Sequence, residues 1–376
     1  MPEVISLAGA AVERQTQNGL VFRSYRPADE ESVLKLMKSA LGETDARRRN
    51  SATWRWKHFD NPFGESIIRV ACDRSGEIVG LRAFMRWQFQ VRGSVLDAVQ
   101  AVDTATRRDF QGHGIFSTLT AQAVEQVRQE NVRFVFNTPN IASRGGYLKL
   151  GWSYVGTVEP LIYVRNPRLF WPRLTLGTLL RKRGGVADGT LETRAAQCTA
   201  NDYDALADLI NRHETHVASP GRLRTQWTAD YYRWRYVAQP DLTYRIHKVE
   251  SNGKLQAAAI TRLGSRFGLR EVLVSELWVA EPDEELIDDV LHRIYEAADA
   301  DYMLAIAVPD SFASLILRKR GFRTVWQPRM DSFAERLMKG YQKPRRLVVR
   351  PIKDTPNVDP KRFSCWDLSV GDLEIF

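Results

Sequence analysis

The sequence predicts an α/β chain of the α+β kind: two tandem copies of one domain, each a mixed, mostly antiparallel sheet flanked by helices, with a C-terminal appendage. Three observations carry that expectation. Two long segments repeat one another, each copy runs through the same succession of strand and helix patterns, and the 376 residues, 44% of them hydrophobic, suffice for two ordinary cores.

The repeat is clearest in SATWRWKHFDNPFGESIIRVACDRSGEIVGLRAFM from Ser51 and TQWTADYYRWRYVAQPDLTYRIHKVESNGKLQAAAITR from Thr225. Trp56 falls on Trp234 and Pro62 on Pro240 at one offset. Both segments open onto a Pro-containing turn, an alternating apolar run, a polar turn with Gly, and another alternating run. Downstream, YLKLGW (147–152) matches LRKRGF (317–322). A repeat of this length is a duplicated domain rather than low complexity.

Residues 1–19 read as an N-terminal extension. In the first copy, 20–164, Val21–Arg26 alternates as a strand; Pro27 and Asp29 open a helix with Val33, Leu36, Met37 and Ala40 on one face, stopped by Gly42. Two or three antiparallel strands follow, then a strand over 95–106, a glycine turn, a helix with Ile115, Leu119, Ala123 and Val127 on its apolar face, and a last strand–helix–strand. The second copy, 190–340, repeats this order from ETRAAQCTANDYDALADLINRH. Between them, 165–189 is basic and carries two prolines and a glycine-rich end. It reads as a linker, or over 165–186 as a helix in peripheral contact with a membrane surface, since Leu, Phe, Trp and Arg are mixed there. Residues 341–376 read as an appendage docked on the domains.

No run approaches the roughly 18 apolar residues of a membrane span, and the first residues lack the shape of a signal peptide. The expectation is a soluble, cytoplasmic protein. Three scattered cysteines form neither a disulfide framework nor a metal knuckle. His213 and His216 in NRHETH offer no third ligand, so no metal is expected. The formal charge of +9 favours polyanionic ligands without choosing among them. No interleaved aromatic and basic stripe marks a single-strand binder, and nucleic acid is not expected as a partner.

The stretch RRDFQGHGIF (107–116) joins the strand to the helix. A helix start on glycines presents unpaired N–H groups and a positive dipole end, which makes an anion site. Neither GxxxxGK[ST] nor GxGxxG is present. DTATRRDFQGHGIFSTLT resembles the signature of the GNAT superfamily of acyl-CoA N-acyltransferases, whose R/Q-x-x-G-x-G/A loop holds the coenzyme A pyrophosphate. Gln111 stands at the R/Q position and Gly114 at the first Gly, with Gly112, His113 and Ile115 between, while Phe116 stands where Gly or Ala is usual. That departure is accommodated if the Phe116 ring points into the core. Family members also often carry Asn and, seven positions on, Tyr within Y-x-K-x-G-F; Asn140 and Tyr147 obey that spacing in NIASRGGYLKLGW.

The resemblance implies an acetyl-CoA or other acyl-CoA cofactor, and acyl transfer to a primary amine of a small molecule. Looser likenesses imply a nucleotide-linked or envelope amino sugar used in surface polysaccharide synthesis. It implies Tyr147 as the acid that protonates the departing thiolate, since an ordinary phenol is protonated at neutral pH. Backbone groups of Thr104, Ala105 and Thr106 would meet the acyl carbonyl, and Asn140 would orient the pantetheine arm. Asp103 is the candidate base, directly or through a water. His113 would contribute its backbone N–H, with the ring in solvent.

In the second copy Tyr147 becomes Leu317, Asn140 becomes Asp310, and the glycine loop gives way to a helix that starts on acids (DEELIDDVLHRIYEA), which repel pyrophosphate. One catalytic centre, in the first half, is expected; the second copy shapes or covers the acceptor site. Two other readings stand beside this one. One is an aminoacyl-tRNA-dependent transferase of tandem-GNAT type, and the other is a non-catalytic module that binds acyl-CoA or nucleic acid.

Overall fold

The computed structural model describes residues 14–17, 19–42, 49–179, 194–266, 269–324 and 345–373. Most of the expected N-terminal extension, 180–189 of the expected linker, 190–193 and 325–340 of the expected second copy, and both ends of the expected appendage lie outside these. The first copy runs β1 (Arg14–Gln17), β2 (Leu20–Ser24), α1 (Glu30–Leu41), α2 (Ser51–His58), β3 (Ile67–Cys72), β4 (Ile78–Val91), β5 (Ser94–Thr106), α3 (Ile115–Gln129), β6 (Phe134–Asn137), α4 (Ile141–Lys149) and β7 (Ser153–Val164). After α5 (Pro167–Leu179) the second copy runs β8 (Ala196–Gln197), α6 (Tyr203–His216), β9 (Arg224–Thr225), α7 (Ala229–Tyr232, prolonged by a π turn, Arg233–Val237), β10 (Tyr244–Ser251), β11 (Lys254–Arg266), β12 (Leu269–Val279), α8 (Glu284–Ala297), β13 (Tyr302–Ala307), α9 (Phe312–Lys319) and β14 (Arg323–Thr324). The chain returns as β15 (Arg345–Pro351).

The strands form one continuous, mostly antiparallel sheet in the order β1-β2-β3-β4-β5-β6-β15-β7-β13-β12-β11-β10-β8, with β14 on β7 and β9 on β4. The expected fold class holds, with two amendments. β15 is no docked appendage: it is an interior strand, antiparallel to β6 on one side and to Ser153–Val158 of β7 on the other. The far half of β7 crosses into the second copy, where Glu159–Val164 pairs with β13. Each copy thus receives a strand from outside its expected boundaries. The expected linker begins as α5, whose Phe170 is buried against the Tyr302 ring, while Leu169, Trp171 and Leu176 are exposed.

The local elements follow the sequence logic. α1 buries Val33, Leu36 and Met37 and ends at Gly42, whose positive φ of 72° is one that a residue with a side chain rarely adopts; Ala40 is exposed, so the buried stripe is one turn shorter than predicted. In the second copy α6 buries Leu206, Leu209 and Ile210 behind a capping box of Thr199 and Asp202.

The duplication is visible in the joint between the copies. Trp56 and Trp234, the residues that align the repeat, stack at 4.9 Å between centroids, and each indole N–H donates to the other's backbone carbonyl at 2.7 Å. A residue pairing reciprocally with its own repeat is the mark of a pseudo-twofold axis. Around it, Phe136, Tyr231, Tyr244 and Trp366 belong to one buried cluster fed by both halves, so the two copies share a core.

Each copy also has a fork. β5 and β6 run parallel only over Ala98–Gln100 and Phe134–Phe136, and β12 and β13 only over Glu271–Leu273 and Tyr302–Leu304. A bulge sits at both. Arg82 pairs with Thr104 and Ala83 with Val102, leaving Asp103 as the extra residue; Ile260 pairs with Glu276 and Thr261 with Val274, leaving Ser275. Bulges of this kind bend a strand and re-aim its side chains.

Candidate active site

Beyond Gln100 the fork side of β5 has no described ladder partner, so its backbone N–H and C=O groups need other partners. They border a cavity of about 370 Å³ between β5, α2 and the start of α4. Asp103, Thr104, Asn140 and Tyr147 all line it, together with apolar Met37 and Trp54. Four of the residues singled out from the sequence therefore meet in one space, two from β5 and two from α4 and its cap.

The Tyr147 ring is held from three sides. Phe116 and Trp152 contact it edge-on at 5.3 and 5.2 Å, and the buried Arg82 guanidinium lies 5.0 Å from its centroid. Phe116 does point inward, and the reason is local: a Cβ at Gly146 would stand 2.8 Å from the Phe116 ring. The large residue at 116 is matched by an absent side chain at 146.

Asn140 caps α4, its Oδ1 accepting the Ser143 N–H at 2.9 Å. This cap leaves the amide nitrogen for other partners. In the second copy the cap of α9 is Ser311 rather than the aligned Asp310, so the two helices start one residue out of step. Their C-terminal turns coincide, because Trp152 N donates to Tyr147 O and Phe322 N to Leu317 O.

The loop itself is open. Gly112 and Gly114 have φ of 83° and 76°, which an L side chain rarely adopts, and a Cβ at either would meet nothing within 4 Å. Gln111, His113 and both glycines are exposed; the His113 Nδ1 lies 3.1 Å from Gln111 O, which turns the ring back on its own loop. Ile115 is buried and α3 packs on β4, where Gly80 leaves room for it. Thr118 is the first residue of the helix recorded donating back, to Gly114 O at 3.0 Å, so the preceding N–H groups stand at the exposed loop. Thr106 pairs with Gly80 and Ala105 with Leu81, which places the loop at the end of the strand that lines the cavity.

Sequence reasoning missed the cluster around Asp103. Lys57 Nζ lies 2.8 Å from Asp103 Oδ2, His58 Nε2 lies 3.1 Å from the same oxygen, and an Arg49 nitrogen is 3.9 Å from the other. His58 is fully buried, with its Nδ1 2.9 Å from Ser66 Oγ and its ring against Trp54. Burial alone would raise the Asp103 pKa, but the Lys57 charge and the His58 hydrogen bond overcome it and hold the carboxyl far below the usual range. Asp103 reaches the cavity wall with its carboxyl held toward the ionised form, which weakens it as the proton acceptor expected from the sequence. The signal was present as WKHF against WRYV in the repeat, but nothing in it tied α2 to the β5 bulge.

Among the described residues no group of three or more His, Cys, Asp or Glu side chains is arranged to hold a metal ion, and no helix is long and apolar enough to cross a membrane.

Comparison with known proteins adds to this geometry. Residues 21–155 match the family model of the acetyltransferase (GNAT) domain. The matched segment contains the glycine loop, Asn140 and Tyr147. No curated protein matches the sequence. Solved structures resemble it over most of its length. A GCN5-related N-acetyltransferase from Anabaena variabilis shares 10% identity at a TM-score of 0.58, covering 89% of this chain and 73% of its own. The N-myristoyltransferase of Saccharomyces cerevisiae with bound myristoyl-CoA shares 12% at 0.58, covering 97% and 87%. A probable N-acyltransferase from Enterococcus faecalis shares 10% at 0.58, covering 89% and 73%. At these identities the likeness is one of fold. That likeness of fold extends past the matched residues to nearly the whole chain.

Proposed function

We propose that the chain is an acyl-CoA-dependent N-acyltransferase, acetyl-CoA being the first donor to test, with its one catalytic centre in the fork of the first copy. The observation that carries this reading is the convergence of Thr104, Asn140 and Tyr147 on one cavity at the end of a strand that leads into an open glycine loop. Gln111, Gly112, His113, Gly114, Ile115 and Phe116 are proposed to hold the pyrophosphate: the helix start supplies N–H donors, and a Cβ at Gly112 or Gly114 would meet nothing within 4 Å. Bound acyl-CoA supplies the thioester. The free edge of β5 at Thr104–Thr106 offers donors to a carbonyl oxygen in the fork, and the Asn140 amide borders the same path. Tyr147, which lines the cavity with its ring held by Phe116, Trp152 and Arg82, is the group assigned to give its phenolic proton to the departing sulfur. Asp103, paired with Lys57 and His58, fixes the charge of the inner wall rather than removing protons.

The acceptor is a small molecule with a primary amine, and amino sugars, free or nucleotide-linked, are the first class to screen. The test is thiol release from acetyl-CoA across an amine panel. With any accepted amine, Tyr147→Phe is expected to lower kcat by about 10²–10⁴-fold while leaving the KM for acetyl-CoA nearly unchanged. A Tyr147→Phe enzyme with wild-type kcat removes the phenol from the mechanism.

A further inference from the structure

The fork of the second copy has its own cavity, about 100 Å³, walled by Ser275 and Glu276 of β12, His213 and Glu214 of α6, Arg224, and Asp367 and Asp372 of the C-terminal segment. It sits where the first fork has its cavity, and the two differ in charge for a reason visible in the repeat. Lys57 and His58 of the first copy fall on Arg235 and Tyr236 in the second. In the first fork an ammonium, Lys57 Nζ, rests on the carboxylate. In the second, Glu276 receives hydroxyls instead: Tyr236 Oη donates to its Oε1 at 2.6 Å and Ser369 Oγ to the same oxygen at 2.7 Å. Arg235 donates to Tyr244 Oη and Gly371 O, and its charge also acts on Glu276, partly offsetting the effect of burial there.

The remaining charges leave an excess of acid. Arg224 pairs with Asp367 at 3.0 Å. His213, against Val279 O, has its pKa pushed down to about 4 by burial and is neutral. Asp372 accepts from the Thr225 hydroxyl and the Ser369 N–H, and Glu214 from Gln90. Among the described residues, Glu214, Glu276 and Asp372 have no ion-pair partner. A separate observation points to a ligand: Ser275, on the bulge and 2% exposed, has a buried Oγ with no hydrogen-bond partner.

We infer that the second fork binds a small primary ammonium group, its three N–H donors shared among the Glu276 carboxyl, the Asp372 carboxyl and Ser275 Oγ, in the place that Lys57 fills in the first fork. This site stands independently of the chemistry proposed for the first fork. Burial, reinforced by Asp372, raises the Glu276 pKa to about 8, and burial raises that of Asp372 to about 6. Near pH 7 the empty cavity therefore holds a proton on Glu276, and an arriving cation displaces it.

The experiment is calorimetric titration of the full chain with n-propylammonium at pH 7 in two buffers of different ionisation enthalpy, with 1-propanol as the uncharged control. The expected result is saturable binding of propylammonium, none of propanol, and release of up to about one proton. Glu276→Gln is expected to weaken binding about tenfold or more and to abolish the proton release. Ala313→Trp, which fills the cavity from its rim and leaves the acids in place, keeps the test decisive if Glu276→Gln fails to fold; it too is expected to weaken binding about tenfold or more. Absence of propylammonium binding, equal binding of propanol, or wild-type affinity in a folded variant overturns the inference.

Discussion

Asp103→Asn is expected to destabilise the protein by about 3–5 kcal/mol at pH 7, because it leaves Lys57 and His58 facing a neutral amide inside the fold. The effect has a definite pH dependence. The folded-state pKa of Asp103 is depressed, so its stabilisation is complete above the unfolded value of about 3.9 and is lost as pH falls toward the folded value. Urea denaturation of wild type and variant should therefore show a gap that is constant from neutrality down to about pH 5 and narrows below pH 4. A gap that widens in acid, or a variant as stable as wild type at pH 7, contradicts the ion cluster as the pin between α2 and the β5 bulge.

The second large effect is expected at the pseudo-twofold joint. Trp56→Ala and Trp234→Ala each remove a buried indole, its stack and one of two reciprocal hydrogen bonds, and each should cost about 3–5 kcal/mol. Because either change alone already breaks the stack, the double variant should be less destabilised than the two losses together. Strict additivity in denaturant unfolding, which would mean the two rings act independently, contradicts the joint described here.

How far the sequence reached depended on whether a feature was local. α1, α3 and the glycine loop are written in consecutive residues: Pro27 and Gly42 delimit one helix, and Ile115, Leu119, Ala123 and Val127 are buried as their spacing predicts. The duplication was readable because Trp56 and Trp234 stand in matching contexts, though nothing in the sequence said that they touch. β15 was not readable, since Arg345–Pro351 finds its neighbours β6 and β7 some two hundred residues upstream, and an alternating basic run looks the same on a sheet edge as inside it. The split use of β7, whose two halves serve different copies, was hidden for the same reason.

At the site, the direction of Phe116 followed from packing logic alone, whereas its cause, the missing side chain at Gly146, is a contact between two helices. Asp103 was legible as a residue of the site, but its basicity is set by what surrounds it, and its partners Lys57 and His58 sit on α2, a separate stretch of chain.

The measurement that tests the central claim most directly is calorimetric titration of acetyl-CoA and coenzyme A into wild type and a Gly114→Glu variant. At Gly114 the φ of 76° and the open space above the loop put both the new side chain and its charge where the pyrophosphate is proposed to sit. The account predicts binding of both ligands to wild type and its loss in a variant that remains folded by circular dichroism. A wild-type protein that binds neither ligand, or a folded Gly114→Glu protein that binds them as wild type does, contradicts it.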